Sequence, residues 1–222
     1  MREIRIRTAR PEDIDAILVL EVACYPVLST IAQWQRRHLE SHQNLFPDGQ
    51  FVAEAGDRIV GLCATFITRS DIALRPHTFR EITGRGLFTN HDPAGETLYG
   101  AEIMVHPEFR RRGIARRFYE ARFELVRRLG LHYFVAGGRM PGYSEVAGEV
   151  PAEEYVRDVV EGRRVDRVLS AQLHSGLQVA RVLSGYLSDP KSGGYATLLV
   201  WENPEFAMGT TLAPTEVSDV EN

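Results

Sequence analysis

Only two cysteines, Cys24 and Cys63, occur in 222 residues, and both lie in apolar stretches. That excludes a disulfide framework and predicts two buried small hydrophobes. No Cys-x-x-Cys, His-Glu-x-x-His or other clustered His/Cys spacing is present. Neither a structural nor a catalytic metal is therefore expected. The amino terminus lacks an apolar signal region, and no run approaches the ~20 apolar residues of a membrane span. The expected compartment is the cytoplasm, with no membrane partner. An excess of positive charge is also missing, because the formal net charge is −4. Overall electrostatics thus favour neither nucleic acid nor an anionic surface as a partner. Repeats and low-complexity tracts are absent.

The remaining composition, 44% hydrophobic and 25% charged, suits one soluble globular domain with a substantial core. Apolar alternation predicts a strand over residues 3–8. Pro11, Glu12, Asp13 and Asp15 mark a helix start, with Ile14, Ile17 and Leu18 on its buried face. A second helical segment spans Trp34 to His42. Residues 50–55 and 58–68 read as strands joined in a hairpin at Gly56-Asp57. Further strands are expected at 98–105, 132–137, 178–186 and 194–202, with helices starting at Ile114 and Pro151. The long segment 70–96 is too rich in aromatic and polar residues for a free linker, and predicts a lid or wall over a site, or a cover for the sheet edge. Residues 205–222 are acidic and polar, and are expected to form a loose tail to a domain spanning 1–204.

The most informative stretch runs from Met104 to Arg117, MVHPEFRRRGIARR. It reads as the end of a buried strand, a turn at Pro107, and a glycine-containing basic turn that opens a long amphipathic helix. A helix N-terminus offers unpaired backbone N–H groups and the positive end of the macrodipole. Gly113 and Ala115 leave that backbone open to close approach. Eight arginines lie between residues 110 and 128, a focused basic patch on an acidic chain. Such a patch suits a small polyanion such as a diphosphate better than a long nucleic acid.

Arg110-Arg111-Arg112-Gly113-Ile114-Ala115 resembles the acetyl-CoA motif of the GNAT superfamily of N-acetyltransferases: Arg or Gln, two residues, Gly, one residue, then Gly or Ala. The likeness extends over roughly residues 3–204. GGRMPGY (137–143) and residues 166–204 resemble the acetyltransferase portion of proteins that join such a domain to a nitrilase-type carbon–nitrogen hydrolase. The resemblance implies an α/β fold with a central mixed, mostly antiparallel sheet of about seven strands flanked by helices and splayed at the acetyl-CoA strand. It implies acetyl-CoA as cofactor and CoA as product. Ile103, Met104 and Val105 would contact the pantetheine arm through their main chain. Arg111, Arg112, Gly113, Ile114, Ala115 and Arg116 would surround the diphosphate, with Arg110 at the first motif position. It further implies a functional link to a carbon–nitrogen hydrolase. Homodimers are common in this fold, although nothing in the sequence signals one.

Transfer to an amine of a small molecule, or of a peptide or protein, requires removal of a proton from a group with a lysine-like pKa near ~10.4. Glu102, one residue before the expected pantetheine contacts, is the leading base. His91 and Asp92 are weaker alternatives. A tyrosine is the usual proton donor to the departing thiolate in this superfamily, and Tyr143 is the nearest, with Tyr186 and Tyr195 as distant competitors. Where many members carry an Asn after the fifth strand, this chain has Gly137-Gly138-Arg139. That departure motivates the alternative of a noncatalytic acyl-CoA sensing or scaffolding module. A nucleic-acid-binding domain is disfavoured by the acidic net charge.

Overall fold

The computed structural model describes residues 3–25 and 34–206. Seven strands form a single sheet: β1 (Ile4–Thr8), β2 (Gln50–Ala55), β3 (Arg58–Thr68), β4 (Thr97–Val105), β5 (Tyr133–Arg139), β6 (Gln178–Leu183) and β7 (Ala196–Glu202). Their spatial order is β1-β2-β3-β4-β5-β7-β6. Every pairing is antiparallel except β4 with β5. The helices are α1 (Ile14–Cys24), α2 (Arg36–Leu45), the short α3 (Ser70–Ala73) and α4 (Phe79–Ile82), α5 (Ile114–Arg128), α6 (Ala152–Val160) and α7 (Leu169–His174).

The period-2 alternation of the strands divides the core into two layers. On one face Phe118, Tyr119, Phe123 and Val126 of α5, with Tyr155 of α6 and Leu169 of α7, pack on Cys63, Leu98, Phe134 and Leu199. On the other, Ile14, Ile17 and Leu20 of α1 and Leu39 of α2 pack on Leu62, Phe66, Tyr99, Met104 and Val135. Arg7 fixes the first connection by donating to both Asp13 (2.6 Å) and Glu54 (3.2 Å).

The structure shortens two expected strands. The chain leaves β6 at Leu183 and enters β7 only at Ala196, because Gly185, Gly193 and Gly194 take positive φ and the Tyr186 N–H closes the loop on the Gly194 carbonyl at 2.9 Å. Another strand is longer than expected. β5 runs through Gly137 and Gly138 to Arg139, since β7 pairs with all three. A Cβ on Gly137 would stand 2.1 Å from the Tyr186 ring, so glycine there admits a packed aromatic rather than ending the strand. The segment 70–96 packs onto the α1 face of the sheet. Its Phe88 is fully buried, stacks on His42 at 3.5 Å and meets Phe66 at 4.8 Å. At the carboxyl end, Glu205 pairs with Arg127 (3.3 Å) and Phe206 stacks on His132 (4.1 Å); the rest of the expected tail lies outside the described residues. No helix among the described residues is long and apolar enough to cross a membrane.

Candidate active site

β4 and β5 share only four register pairs, Thr97–Gly100 against Tyr133–Ala136. Beyond Gly100 the two strands part, and both edges of the gap are free of strand partners among the described residues. On its other side β4 stays paired with β3, but the register skips: Gly100 opposes Thr65 and Glu102 opposes Ala64. Ala101 is therefore the extra residue of a β-bulge. One extra residue shifts the alternation of every side chain after it. Leu98, Ile103 and Val105 pack on the α5 face, and Tyr99, Ala101 and Met104 on the α1 face. Glu102 joins Ala101 on the α1 face, where the Tyr25 hydroxyl at the end of α1 donates to its Oε1 at 3.4 Å. Without the bulge the carboxylate would point into the α5 core.

Arg122 of α5, only 2% exposed, closes the irregular point from beneath. Its Nη2 donates to the carbonyls of Glu102 (2.6 Å) and Ala64 (3.0 Å), acceptors at the point where the ladder is interrupted. The Glu102 carboxyl is raised above the ordinary carboxylate range. Burial is the main cause; Arg139, Arg122 and the Ile103 N–H pull it back in part. A carboxyl poised closer to neutrality is suited to accept a proton from an amine. Burial likewise pushes the nearby Glu21 carboxyl up to about 8. It pushes the Cys24 and Cys63 thiols up to about 11, which removes the thiolates that nucleophilic catalysis by cysteine would need.

At the wide end of the gap, α5 begins at Gly113, whose φ is +76°. Arg111 also has positive φ, +62°. Nothing among the described residues would meet a Cβ on Gly113, so the glycine supplies backbone conformation rather than space. With left-handed residues at 111 and 113, the backbone N–H groups from Arg111 to Arg116 find no acceptor among the described residues, and the next one, of Arg117, returns to the Gly113 carbonyl at 3.1 Å. A run of unpaired N–H groups at a helix start is an anion cradle, and it fits a diphosphate. The side chains around it divide the work. Arg111 is exposed, while Arg112 lies over the Phe109 ring (4.8 Å) and donates to the Glu108 carbonyl (3.0 Å). Arg116 is exposed beside Glu120 (3.7 Å). Arg110 reaches back to the Val105 carbonyl through Nε (3.1 Å). Ile114 is buried and Ala115 exposed at the first turn.

The structure brings Glu102 together with Tyr25, not with Tyr143. Tyr143 follows the Pro141-Gly142 turn into the α5-face core, against Tyr155 (5.4 Å) and Tyr195 (5.6 Å), and its hydroxyl donates to the Val150 carbonyl at 3.1 Å. Tyr186 lies on the α1 face in a buried chain from His77 Nε2 to Tyr99 Oη (2.8 Å) to Tyr186 Oη (3.0 Å). His91 and Asp92 make local contacts: His91 Nδ1 accepts from the Ile67 N–H (3.2 Å), and Asp92 caps a turn at the Ala94 N–H (2.9 Å). Sequence reading missed Tyr25 and Arg139; the only signal for the second was its place after the paired glycines.

Comparisons with known proteins converge on this geometry. The profile of the acetyltransferase (GNAT) family matches residues 14–142. The chain is 35% identical over 201 residues to the uncharacterized N-acetyltransferase YkwB of Bacillus subtilis (strain 168), covering 90% of this chain and 89% of that protein. It is 41% identical over 206 residues to the probable hydrolase YhcX of the same organism. That match covers 92% of this chain but only 40% of YhcX, so the chain spans about two fifths of that relative's length. Among solved structures, the GphF GNAT-like decarboxylase in complex with isobutyryl-CoA is similar at 26% identity and a TM-score of 0.73, covering 90% of this chain and 99% of GphF.

Proposed function

The chain belongs to the acetyltransferase (GNAT) family, and from that premise we propose that it is an acetyl-CoA-dependent N-acetyltransferase acting on an amine of a small molecule by direct attack in a ternary complex. The observation that carries the reading is the parting of β4 from β5, with the Arg111–Arg116 amides at one end and the Glu102 carboxyl at the other. Bound acetyl-CoA supplies an activated acyl carbon. The cradle at α5 holds its diphosphate, and the edge of β4 at Ile103, Met104 and Val105 receives its amide-bearing arm. Glu102 takes the proton from the acceptor amine. Tyr25, hydrogen-bonded to that carboxyl, is the hydroxyl placed to pass a proton toward the departing thiolate. Tyr143 supports the reading as a residue that fixes the chain after β5.

These roles separate in two variants. Tyr25→Phe is expected to lower kcat about 10²-fold or more, within the range for a positioned proton donor, with melting little changed. Tyr143→Phe is expected to cost about 1 kcal/mol of stability, the usual value of one hydrogen bond, and to keep kcat within about twofold. Thermal melts and steady-state rates on both variants check this. Direct attack is tested by initial velocities with both substrates varied. Intersecting lines are expected, and parallel lines would replace the ternary complex with a covalent acyl-enzyme.

Two proposals extend this reading. The likeness of residues 137–143 and 166–204 to acetyltransferases joined to a nitrilase-type hydrolase, with the partial match to a probable hydrolase, supports a functional link to carbon–nitrogen hydrolysis. The likeness to a GNAT-like decarboxylase supports a second reading, loss of carbon dioxide from a carboxyacyl-CoA in the same cleft; release of labelled carbon dioxide from malonyl-CoA would favour it over amine transfer.

A further inference from the structure

Arg139 stands where the two strands have parted. The alternation of β5 puts Val135 on the α1 face, Ala136 on the α5 face, Gly137 against Tyr186 and Gly138 against Gln172 and Leu199. Arg139 therefore projects to the α1 face, the side that holds Glu102 and Tyr25. It is the largest cationic influence on the Glu102 carboxyl and also acts on Tyr25. Yet no hydrogen bond or ion pair joins Arg139 to Glu102 among the described residues.

What Arg139 does touch is Asp189. Its Nε donates to Asp189 Oδ2 at 2.7 Å, and Asp189 is only 3% exposed. The same oxygen accepts from Ser192 Oγ (2.7 Å), and the other from the Lys191 N–H (3.2 Å). Asp189 is thus fixed from three sides and fixes the guanidinium in turn. Only Nε is engaged; the two terminal nitrogens form no hydrogen bond among the described residues. A guanidinium held by Nε presents its remaining fork in one direction, which is the geometry for bidentate carboxylate recognition. Buffering by one fixed carboxylate also lowers the ordering cost when a second one arrives.

We propose that Arg139, oriented by Asp189, is the receptor for a carboxylate carried by the bound substrate. The inference rests on the acyl-transfer reading of the cleft. Two sources share this chemistry. An amino acid acceptor would lay its carboxylate on Arg139 and its amine toward Glu102, which the common face of the two residues favours. A dicarboxylic acyl group on CoA would present its free carboxylate to the same fork.

The test compares wild type, Arg139→Gln and Arg139→Lys. One arm measures acetyl transfer to the free amino acids and to their carboxamides. The other measures binding of malonyl-CoA, succinyl-CoA and acetyl-CoA by calorimetry. Wild type is expected to prefer a carboxylate over its neutral counterpart by at least about tenfold, the value of one charge-assisted bond at 1.4 kcal/mol per decade. Arg139→Gln should erase that preference, mostly through KM or Kd, and Arg139→Lys should restore only part. A preference in the acceptor arm assigns the carboxylate to the amine; one in the acyl arm assigns it to the thioester. Preferences within twofold in both arms, or unchanged in Arg139→Gln, overturn the proposal. If Arg139→Gln alone does not fold because Asp189 is left buried and unpaired, Arg139→Gln with Asp189→Asn replaces it. Acetyl-CoA affinity of the wild type reads the underlying assignment separately: its absence would sink the acyl-transfer reading, whereas its presence without a carboxylate preference sinks only this inference.

Discussion

Glu102→Gln is expected to lower kcat by about 10²–10⁴-fold, the span of general base catalysis, while leaving acetyl-CoA affinity within about threefold, since Gln keeps the side chain's shape and neutralises a group remote from the diphosphate. Gln retains an oxygen for the Tyr25 hydroxyl but cannot take a proton. Stability should hold, because burial already opposes the charge that Gln removes. The pH profile gives the sharper reading. A base acts when deprotonated, and the Glu102 carboxyl is raised, so wild-type kcat/KM should climb through a limb above the ordinary carboxylate range. In Glu102→Gln that limb should vanish. What remains should rise only with loss of the acceptor's own proton, toward ~10.4 for a lysine-like amine. An unchanged limb in the variant would assign the titration to another group.

Gly113→Asp should abolish acetyl-CoA binding without unfolding the chain. Asp tolerates left-handed backbone better than most residues and is a favourable helix N-cap. Nothing among the described residues stands where its Cβ would go. Its carboxylate, however, would accept from the same first-turn N–H groups that the cradle leaves open, and would oppose an incoming diphosphate. A loss of at least about 100-fold in affinity is expected, equivalent to about 2.8 kcal/mol at 1.4 kcal/mol per decade. Calorimetry with acetyl-CoA checks the loss, and a melt within a few degrees of wild type checks the fold. Retained affinity would remove the diphosphate from the start of α5.

The contrast between these two sites shows what sequence reading reaches. The cradle is local: strand, Pro107, arginines, Gly113 and the helix lie within one short segment, so the pattern alone defined it. The hairpin at Gly56-Asp57 was legible for the same reason, and Ala55 and Arg58 pair across it. Glu102 is proposed from its place before the motif, but the reason it lies on the α1 face is not legible there. That reason is the bulge at Ala101, a property of the β3–β4 register and not of either strand's composition. Tyr25 lies 77 residues from Glu102 in sequence and could be joined to it only by packing α1 on the sheet. Tyr143 shows the limit of proximity: it is near the end of β5 in the chain, yet the turn at Pro141-Gly142 carries it to the other face. Gly137-Gly138 looked like the end of a strand because glycine is poor in strands, whereas here the missing side chains make room for Tyr186, Gln172 and Leu199.

The measurement that bears most directly on the central claim combines the purified protein, isotopically labelled acetyl-CoA and a metabolite extract, with products read by mass spectrometry. A labelled N-acetyl product that requires the protein, and is formed at least about tenfold more slowly by Glu102→Gln, a modest share of what a general base contributes, is the predicted result. Tight binding of acetyl-CoA with no labelled product from any amine would contradict it, and would leave the cleft as a binding site without transfer.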